Sequence, residues 1–227
     1  WPYISIALGS QEVYMMEITS AYGALATGGL LAKPIYIKKI EDRNGIELYS
    51  NKPEVKRVYE QNLVYALVEM MKGVVDYGTG KNAKLPRPAA GKTGTTSDYK
   101  DAWFIGFVPQ LVCAAWVGND DNTPMNKVVG GYIPALMWKQ FMNTALTNIP
   151  RLDFPYPGGM VNVDVCWDDG KRYNNIGTHS VEKFWAGYEP KDVSSIRPNQ
   201  VQKRSEEPST TPPADNSQDN WVNEFIN

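Results

Sequence analysis

The chain has 227 residues, 42% of them hydrophobic, enough to bury one good core. A net charge of −2 exerts no broad pull on nucleic acid, two cysteines (Cys113 and Cys166) make no disulfide framework, and a single histidine rules against a multi-histidine metal site. No run of about 18 apolar residues is present to span a membrane and no secretory signal is visible, although a first residue of Trp1 rather than Met places the true N-terminus elsewhere.

Residues 12–27 read as a helix: Met15, Ile18, Tyr22 and Leu25 recur on one face, and Gly28-Gly29 stops it. Residues 33–41 alternate with β-branched side chains and read as a strand. Asn44-Gly45 is a hairpin signal leading into residues 46–49. A second helix is predicted over 62–76, with a stripe of Leu63, Leu67, Met70, Met71 and Val74 and its methionines as core filling. A strand carrying Lys92 follows. Next come Asp101–Val108 and Leu111–Gly118, joined by Pro109-Gln110 and apolar at nearly every residue. Such runs imply burial on both faces, so the sheet should lie between helices.

Pro134 opens a third helix whose face of Trp138, Phe141, Met142 and Ala145 would cover one side of that sheet. Trp103, Trp116 and Trp138 read as core. His179 reads as a solvated loop residue, which makes a histidine-based triad a poor explanation of any chemistry here. Residues 150–190 carry several Pro and Gly among irregularly spaced aromatics and read as an extended segment packed on the domain. Residues 199–220 are low-complexity and predicted to be disordered. The last stretch, 221–227, regains apolar residues (Trp221, Val222, Phe225, Ile226) and is a candidate docking peptide for a partner protein.

The most informative run is Gly91-Lys92-Thr93-Gly94-Thr95-Thr96. A phosphate-binding loop would need a glycine at residue 86, where Pro86 stands, and a helix after the motif, where residues 102–108 favour a strand. On a strand the run suits acyl transfer. Lys92 supplies a fixed positive charge. Thr93 and Thr95 share a face and offer two hydroxyls to a carboxylate. Gly94 lets substrate approach closely, and the Thr95 N–H is a candidate oxyanion donor. Taken alone, the triplet Lys92-Thr93-Gly94 reads better as an ordinary surface strand.

Its surroundings decide otherwise. Residues 87–119, RPAAGKTGTTSDYKDAWFIGFVPQLVCAAWVGN, closely resemble the strand-loop-strand-strand region of class A penicillin-binding proteins. Upstream, residues 7–30 (ALGSQEVYMMEITSAYGALATGGL) and downstream, residues 130–142 (GGYIPALMWKQFM), resemble the same family in the same order. The likeness covers about residues 2–148 well and continues weakly to residue 190. It implies an α/β fold of α+β type, with a five-stranded antiparallel sheet between helix layers, as in serine β-lactamases and DD-transpeptidases. Residues 1–148 would be the C-terminal portion of the transpeptidase domain and 149–198 an irregular extension packed on it. Residues 199–220 would be a linker and 221–227 a terminal apolar segment.

The resemblance also implies the chemistry. A serine attacks the D-Ala–D-Ala amide of a peptidoglycan stem peptide, an acyl-enzyme forms, and a neighbouring stem amine resolves it into a cross-link; β-lactams acylate the same serine. Lys92 and Thr95 would be catalytic. Thr93, Gly94, Thr95 and Thr96 would contact the substrate or drug, and residues 97–100 would border the cleft. No metal or organic cofactor is expected. The implied partners are stem peptides, the lipid-linked precursor, β-lactams and, through 221–227, cell-wall machinery, but no nucleic acid. An N-terminal anchor and a glycosyltransferase domain in the parent would place it on the outer face of the cytoplasmic membrane.

The family's nucleophile occupies a Ser-x-x-Lys at a helix start, where the Lys one turn on faces the Ser. Two formal matches occur, Ser97-Asp-Tyr-Lys100 directly after the Lys92 strand and Ser180-Val-Glu-Lys183 in the tail, and both read as chance. Ser-x-Asn does not occur; Tyr49-Ser-Asn51 and Tyr173-Asn-Asn175 imitate only a related form. Both missing elements are expected before Trp1, and the chain alone is expected to be inert. The alternative is a non-catalytic sensor or binding domain that keeps the fold without the serine.

Overall fold

A computed structural model describes residues 3–201, and these divide into two compact units, one ending at Pro155 and one beginning at Tyr156. The first unit opens with a 3-10 turn (Ile4–Leu8) and helix α1 (Met15–Ala26). Short strands β1 (Leu30–Ala32), β2 (Lys39–Glu41), β3 (Glu47–Ser50) and β4 (Val55–Arg57) follow, and then helix α2 (Gln61–Asp76). Strands β5 (Ala90–Thr95), β6 (Asp101–Val108) and β7 (Leu111–Gly118) lead to helix α3 (Ile133–Ala145).

Of the strand expected over 33–41 only Lys39–Glu41 forms, and the preceding strand ends before residue 33. Pro34 has no N–H to extend a ladder, so β1 ends at Ala32 and pairs with β4, while β2 starts at Lys39 and pairs with β3. The hairpin expected at Asn44-Gly45 joins β2 and β3. Gly45 takes the left-handed conformation (φ 80°), and Asp42 Oδ1 accepts from the N–H groups of Asn44 (2.8 Å) and Ile46 (2.9 Å). The second arm therefore begins at Glu47, one residue later than expected.

Strands β5, β6 and β7 form an antiparallel sheet in that order, and the sandwich expected around it is present. Along β6, Phe104 and Gly106 share one face and Phe107 takes the other. On the first face Phe104 meets the Trp138 ring of α3 edge-on at 5.2 Å, and Trp138 Nε1 donates to Gly106 O at 3.1 Å. On the second, Phe107 meets Tyr22 of α1 at 6.2 Å and Phe154 at 5.6 Å. Phe104, Phe107 and Trp138 are wholly buried, each contributing about 1.5–3 kcal/mol of apolar transfer.

The helix faces differ from the predicted stripes. On α2 the buried set is Val64, Tyr65, Val68, Met71 and Val75, whereas Leu63 and Met70 are 62% and 68% exposed. Both sets fit a 3.6-residue period because the apolar arc is wide, with Gln61, Asn62, Glu69, Lys72 and Asp76 confined to one side, so periodicity alone does not select which part of that arc turns inward. On α3, Trp138 and Met142 are buried as predicted, but Ala135 replaces Ala145, and Phe141 is half exposed. On α1 the buried residues are Ala24 and Ala26; Met15 is exposed. Trp138 is core; Trp103 and Trp116 are only half-buried, with rings paired at 6.2 Å across β6 and β7.

The second unit is not irregular. Strands β8 (Met160–Cys166) and β9 (His179–Trp185) pair antiparallel along their whole length. Their loop is tied down where Ser194 Oγ donates to Asp169 Oδ2 (2.9 Å) and Asn174 Nδ2 donates to the carbonyls of Ser194 and Ile196 (2.9 and 3.0 Å). His179, expected in a solvated loop, starts β9 and stacks on Tyr173 at 4.1 Å. Of the stretch predicted to be disordered, Gln200 ends a 3-10 turn (Pro198–Gln200) and accepts from Arg197 N–H at 3.1 Å. Residues 202–220 and the docking peptide 221–227 lie outside the described residues.

Candidate active site

Strand β5 is one edge of its sheet among the described residues, and register decides what that edge presents. Just past β5, Thr96 N–H donates to Asp101 O at 3.0 Å, so Thr96 faces β6. In an antiparallel pair, inward and outward residues alternate. Gly94 and Lys92 therefore also turn their backbone groups toward β6, whereas Thr95 and Thr93 turn their N–H and C=O groups outward. The Thr95 N–H thus points away from β6, off the free edge of the strand.

Side chains follow the same alternation in the perpendicular direction. Thr93 and Thr95 stand opposite Phe104 and Ala102 on one face, and Lys92 stands opposite Ile105 on the other. The Lys92 ammonium curls back to the edge and donates to Thr93 O at 2.8 Å. Gly94 shares the Lys92 face, where a Cβ would meet only the Trp103 side chain, at 3.3 Å. Lys92, Thr93, Gly94 and Thr95 are thus gathered at one edge.

Thr96 is used differently. Its Oγ1 accepts from Lys100 N–H and Asp101 N–H, each at 2.9 Å, and so holds the turn between β5 and β6. That turn contains Ser97-Asp-Tyr-Lys100 and bends through Tyr99 at φ 54°, so Ser97 opens no helix. Ser180 and Lys183 stand three apart on β9 and project from opposite faces. Neither Ser-x-x-Lys is a nucleophile pair.

Three further residues, not singled out by the sequence, complete the site. Thr79, just beyond α2, shares a 2.8 Å hydrogen bond between its Oγ1 and Thr93 Oγ1. Gly130 N–H donates to Thr95 Oγ1 at 3.1 Å. Asn82 Nδ2 donates to Gly131 O at 2.8 Å and so links the loop after α2 to the segment before α3. The available signals were Gly78-Thr79-Gly80 and Gly130-Gly131, since glycines outside an element mark close backbone approach. Gly130 needs its missing side chain: a Cβ there would lie 2.1 Å from Trp103 O and 2.5 Å from Gly94 O. Among the described residues, no group of three or more His, Cys, Asp or Glu is arranged to hold a metal ion.

The family profile described as the penicillin binding protein transpeptidase domain matches residues 2–131, more than half of the chain and all of the site just described. The chain belongs to the penicillin-binding protein transpeptidase family. Penicillin-binding protein 1A of Aquifex aeolicus (strain VF5) is 40% identical over 166 residues, covering 72% of this chain and 23% of that protein. Penicillin-binding protein 2D of Bacillus subtilis (strain 168) is 31% identical over 232 residues, covering 98% of this chain and 33% of its own length. The crystal structure of Penicillin-Binding Protein 1A from Haemophilus influenzae superposes with a TM-score of 0.74 at 26% identity, over 84% of this chain and 34% of that one. The mixed helix and antiparallel-sheet architecture is therefore that of the transpeptidase family. The chain spans about a quarter to a third of the length of these relatives.

Proposed function

We propose that this chain supplies the Lys-Thr-Gly wall of a peptidoglycan DD-transpeptidase site. The observation that carries the reading is the outward edge of β5, where the Thr95 N–H, the Thr93 and Thr95 hydroxyls and the Lys92 ammonium converge. An extended stem peptide lies along such an edge by strand addition. Its terminal carboxylate takes hydrogen bonds from Thr93 and Thr95. The serine oxygen attacks the penultimate D-Ala carbonyl, and the oxyanion is held by the Thr95 N–H together with the serine's own N–H. The C–N bond breaks, the nitrogen gains a proton, and D-alanine departs, leaving a serine ester. An amine of a neighbouring stem then attacks the ester, forming the cross-link and returning the serine. A β-lactam presents a carboxylate and a reactive amide in the same arrangement and stops at the ester. Lys92 stabilises developing negative charge and assists proton movement around the serine.

Neither Ser-x-x-Lys in the chain opens a helix, so the serine comes from residues outside it. The chain by itself is then inert toward penicillins. In the full-length protein the reading adds a glycosyltransferase domain, the lipid-linked precursor as substrate and a membrane anchor, with the site on the outer face of the cytoplasmic membrane. Among the described residues no helix is long and apolar enough to cross a membrane.

The test is acylation of the full-length protein by a fluorescent penicillin. The wild type is expected to label, and Lys92→Ala to label roughly 10²-fold more slowly, the scale of a lost electrostatic contact to a transition state. A folded Lys92→Ala protein that labels at the wild-type rate sinks the role of Lys92. A wild type that never labels makes the domain a non-catalytic binding relative.

A further inference from the structure

We propose that Thr79 is a positioning residue that makes the site selective for acyl donors ending in a carboxylate. The inference rests on the transpeptidase reading above. It concerns a residue outside the Lys-Thr-Gly strand and starts from the protons of the two strand hydroxyls. A threonine hydroxyl has one proton to give and two lone pairs to receive. A carboxylate only accepts, so Thr93 and Thr95 serve it only while their own protons remain free.

At Thr95 this is settled by chemistry. The Gly130 N–H can only donate, so Thr95 Oγ1 is the acceptor at 3.1 Å and keeps its proton for a ligand. At Thr93 it is not settled, because either hydroxyl of the 2.8 Å Thr79–Thr93 pair can be the donor. If Thr93 donates inward, its proton is spent and a carboxylate meets a lone pair. If Thr79 donates, Thr93 is as ready as Thr95. Switching needs only hydroxyl rotations, with no heavy atom moving. An approaching anion favours the second state, because a hydroxyl that donates to a charge becomes a better acceptor. Thr79 then heads a relay of two hydrogen bonds ending on the carboxylate.

The surroundings of Thr79 hold this relay in place. The Gly80 N–H donates to Val74 O at 2.8 Å and the Gly78 N–H to Gly73 O at 2.8 Å, anchoring both sides of Thr79 to the last turn of α2. The Thr79 carbonyl lies so close to Gly131 that a Cβ there would be 2.1 Å from it. Asn82 holds the Gly131 carbonyl at 2.8 Å. The loop that bonds Thr93 and the segment that bonds Thr95 are therefore bolted together, and the two hydroxyls are presented as a fixed pair.

The experiment uses full-length protein and two thioester acyl donors identical except for a terminal carboxylate or carboxamide. Thr79→Val keeps the shape and removes the hydroxyl, Thr79→Ser keeps the hydroxyl, and Thr79→Ala guards against misfolding caused by a misplaced methyl. Thr79→Val and Thr79→Ala are expected to lower kcat/KM for the carboxylate donor about fivefold, the scale of one hydrogen bond between neutral groups, and to leave the carboxamide donor within about twofold. Thr79→Ser is expected to restore the preference. Equal losses on both donors would mean that Thr79 only supports the fold, and no loss on the carboxylate donor would mean that Thr93 needs no help; either result overturns the proposal. If the wild type is acylated by neither donor nor by penicillin, the transpeptidase reading falls and takes this inference with it.

Discussion

Thr95 shows how much of a site depends on a residue that contributes no side chain. Its hydroxyl is oriented by Gly130, whose N–H reaches it only because the Gly130 Cα sits directly over the Gly94–Trp103 backbone pair. Gly130→Ala would put a methyl carbon 2.1 Å from Trp103 O and 2.5 Å from Gly94 O, both backbone atoms that no rotamer change can move. We expect this variant to lose about 1–3 kcal/mol of stability, seen as a lower urea midpoint at unchanged m-value. That Thr93 and Thr95 share a face was legible in the sequence, because the strand period alone puts them there. Thr79 and Asn82 were not legible. Their partners lie 14 and 49 residues away, and no local pattern encodes such distant pairings.

At the scale of elements, legibility tracked how one-sided the apolar pattern is. β6 is apolar at all but its first residue and from Phe104 onward is buried on both faces as predicted. On α2 the apolar arc is wider than the face that is buried, so the sequence of the helix alone does not select which part of the arc turns inward. The two adjacent methionines test that choice. Met71→Ala, at a site 7% exposed, is expected to cost about 2–5 kcal/mol, whereas Met70→Ala, 68% exposed, should stay within about 0.5 kcal/mol. Equal costs in thermal denaturation would contradict the assigned face. The β8–β9 hairpin was read as irregular although residues 160–166 place Val161, Val163 and Val165 at every second position. The Pro- and Gly-rich flanks obscured that short period-2 signal, which is complete only when its partner strand is known.

For the first unit as a whole, alkaline pH acts on two groups that burial makes keep their protons. Desolvation raises the Cys113 thiol above its ordinary 9.0 and the Tyr22 hydroxyl above its ordinary 10.0. Each folded-state pKa lies above the unfolded one, so the folded chain holds these protons longer. The associated stability is fully present below pH 9.0 and is lost as pH rises through the folded values. The urea midpoint is expected to fall between pH 8 and pH 11, with a smaller fall in Cys113→Ala. In the wild-type chain Cys113 should react slowly with iodoacetamide at pH 8, because its thiolate is scarce there.

The outward edge of β5 has one more consequence. A strand that offers unpaired N–H and C=O groups to a peptide offers them equally to a second copy of itself, which is the first step of edge-to-edge aggregation. Lys92 lays its ammonium across the Thr93 carbonyl at 2.8 Å and so sets a charge on an acceptor that a foreign strand would need. The same side chain proposed to serve the reaction also acts as a gatekeeper, keeping the idle edge from recruiting its own kind.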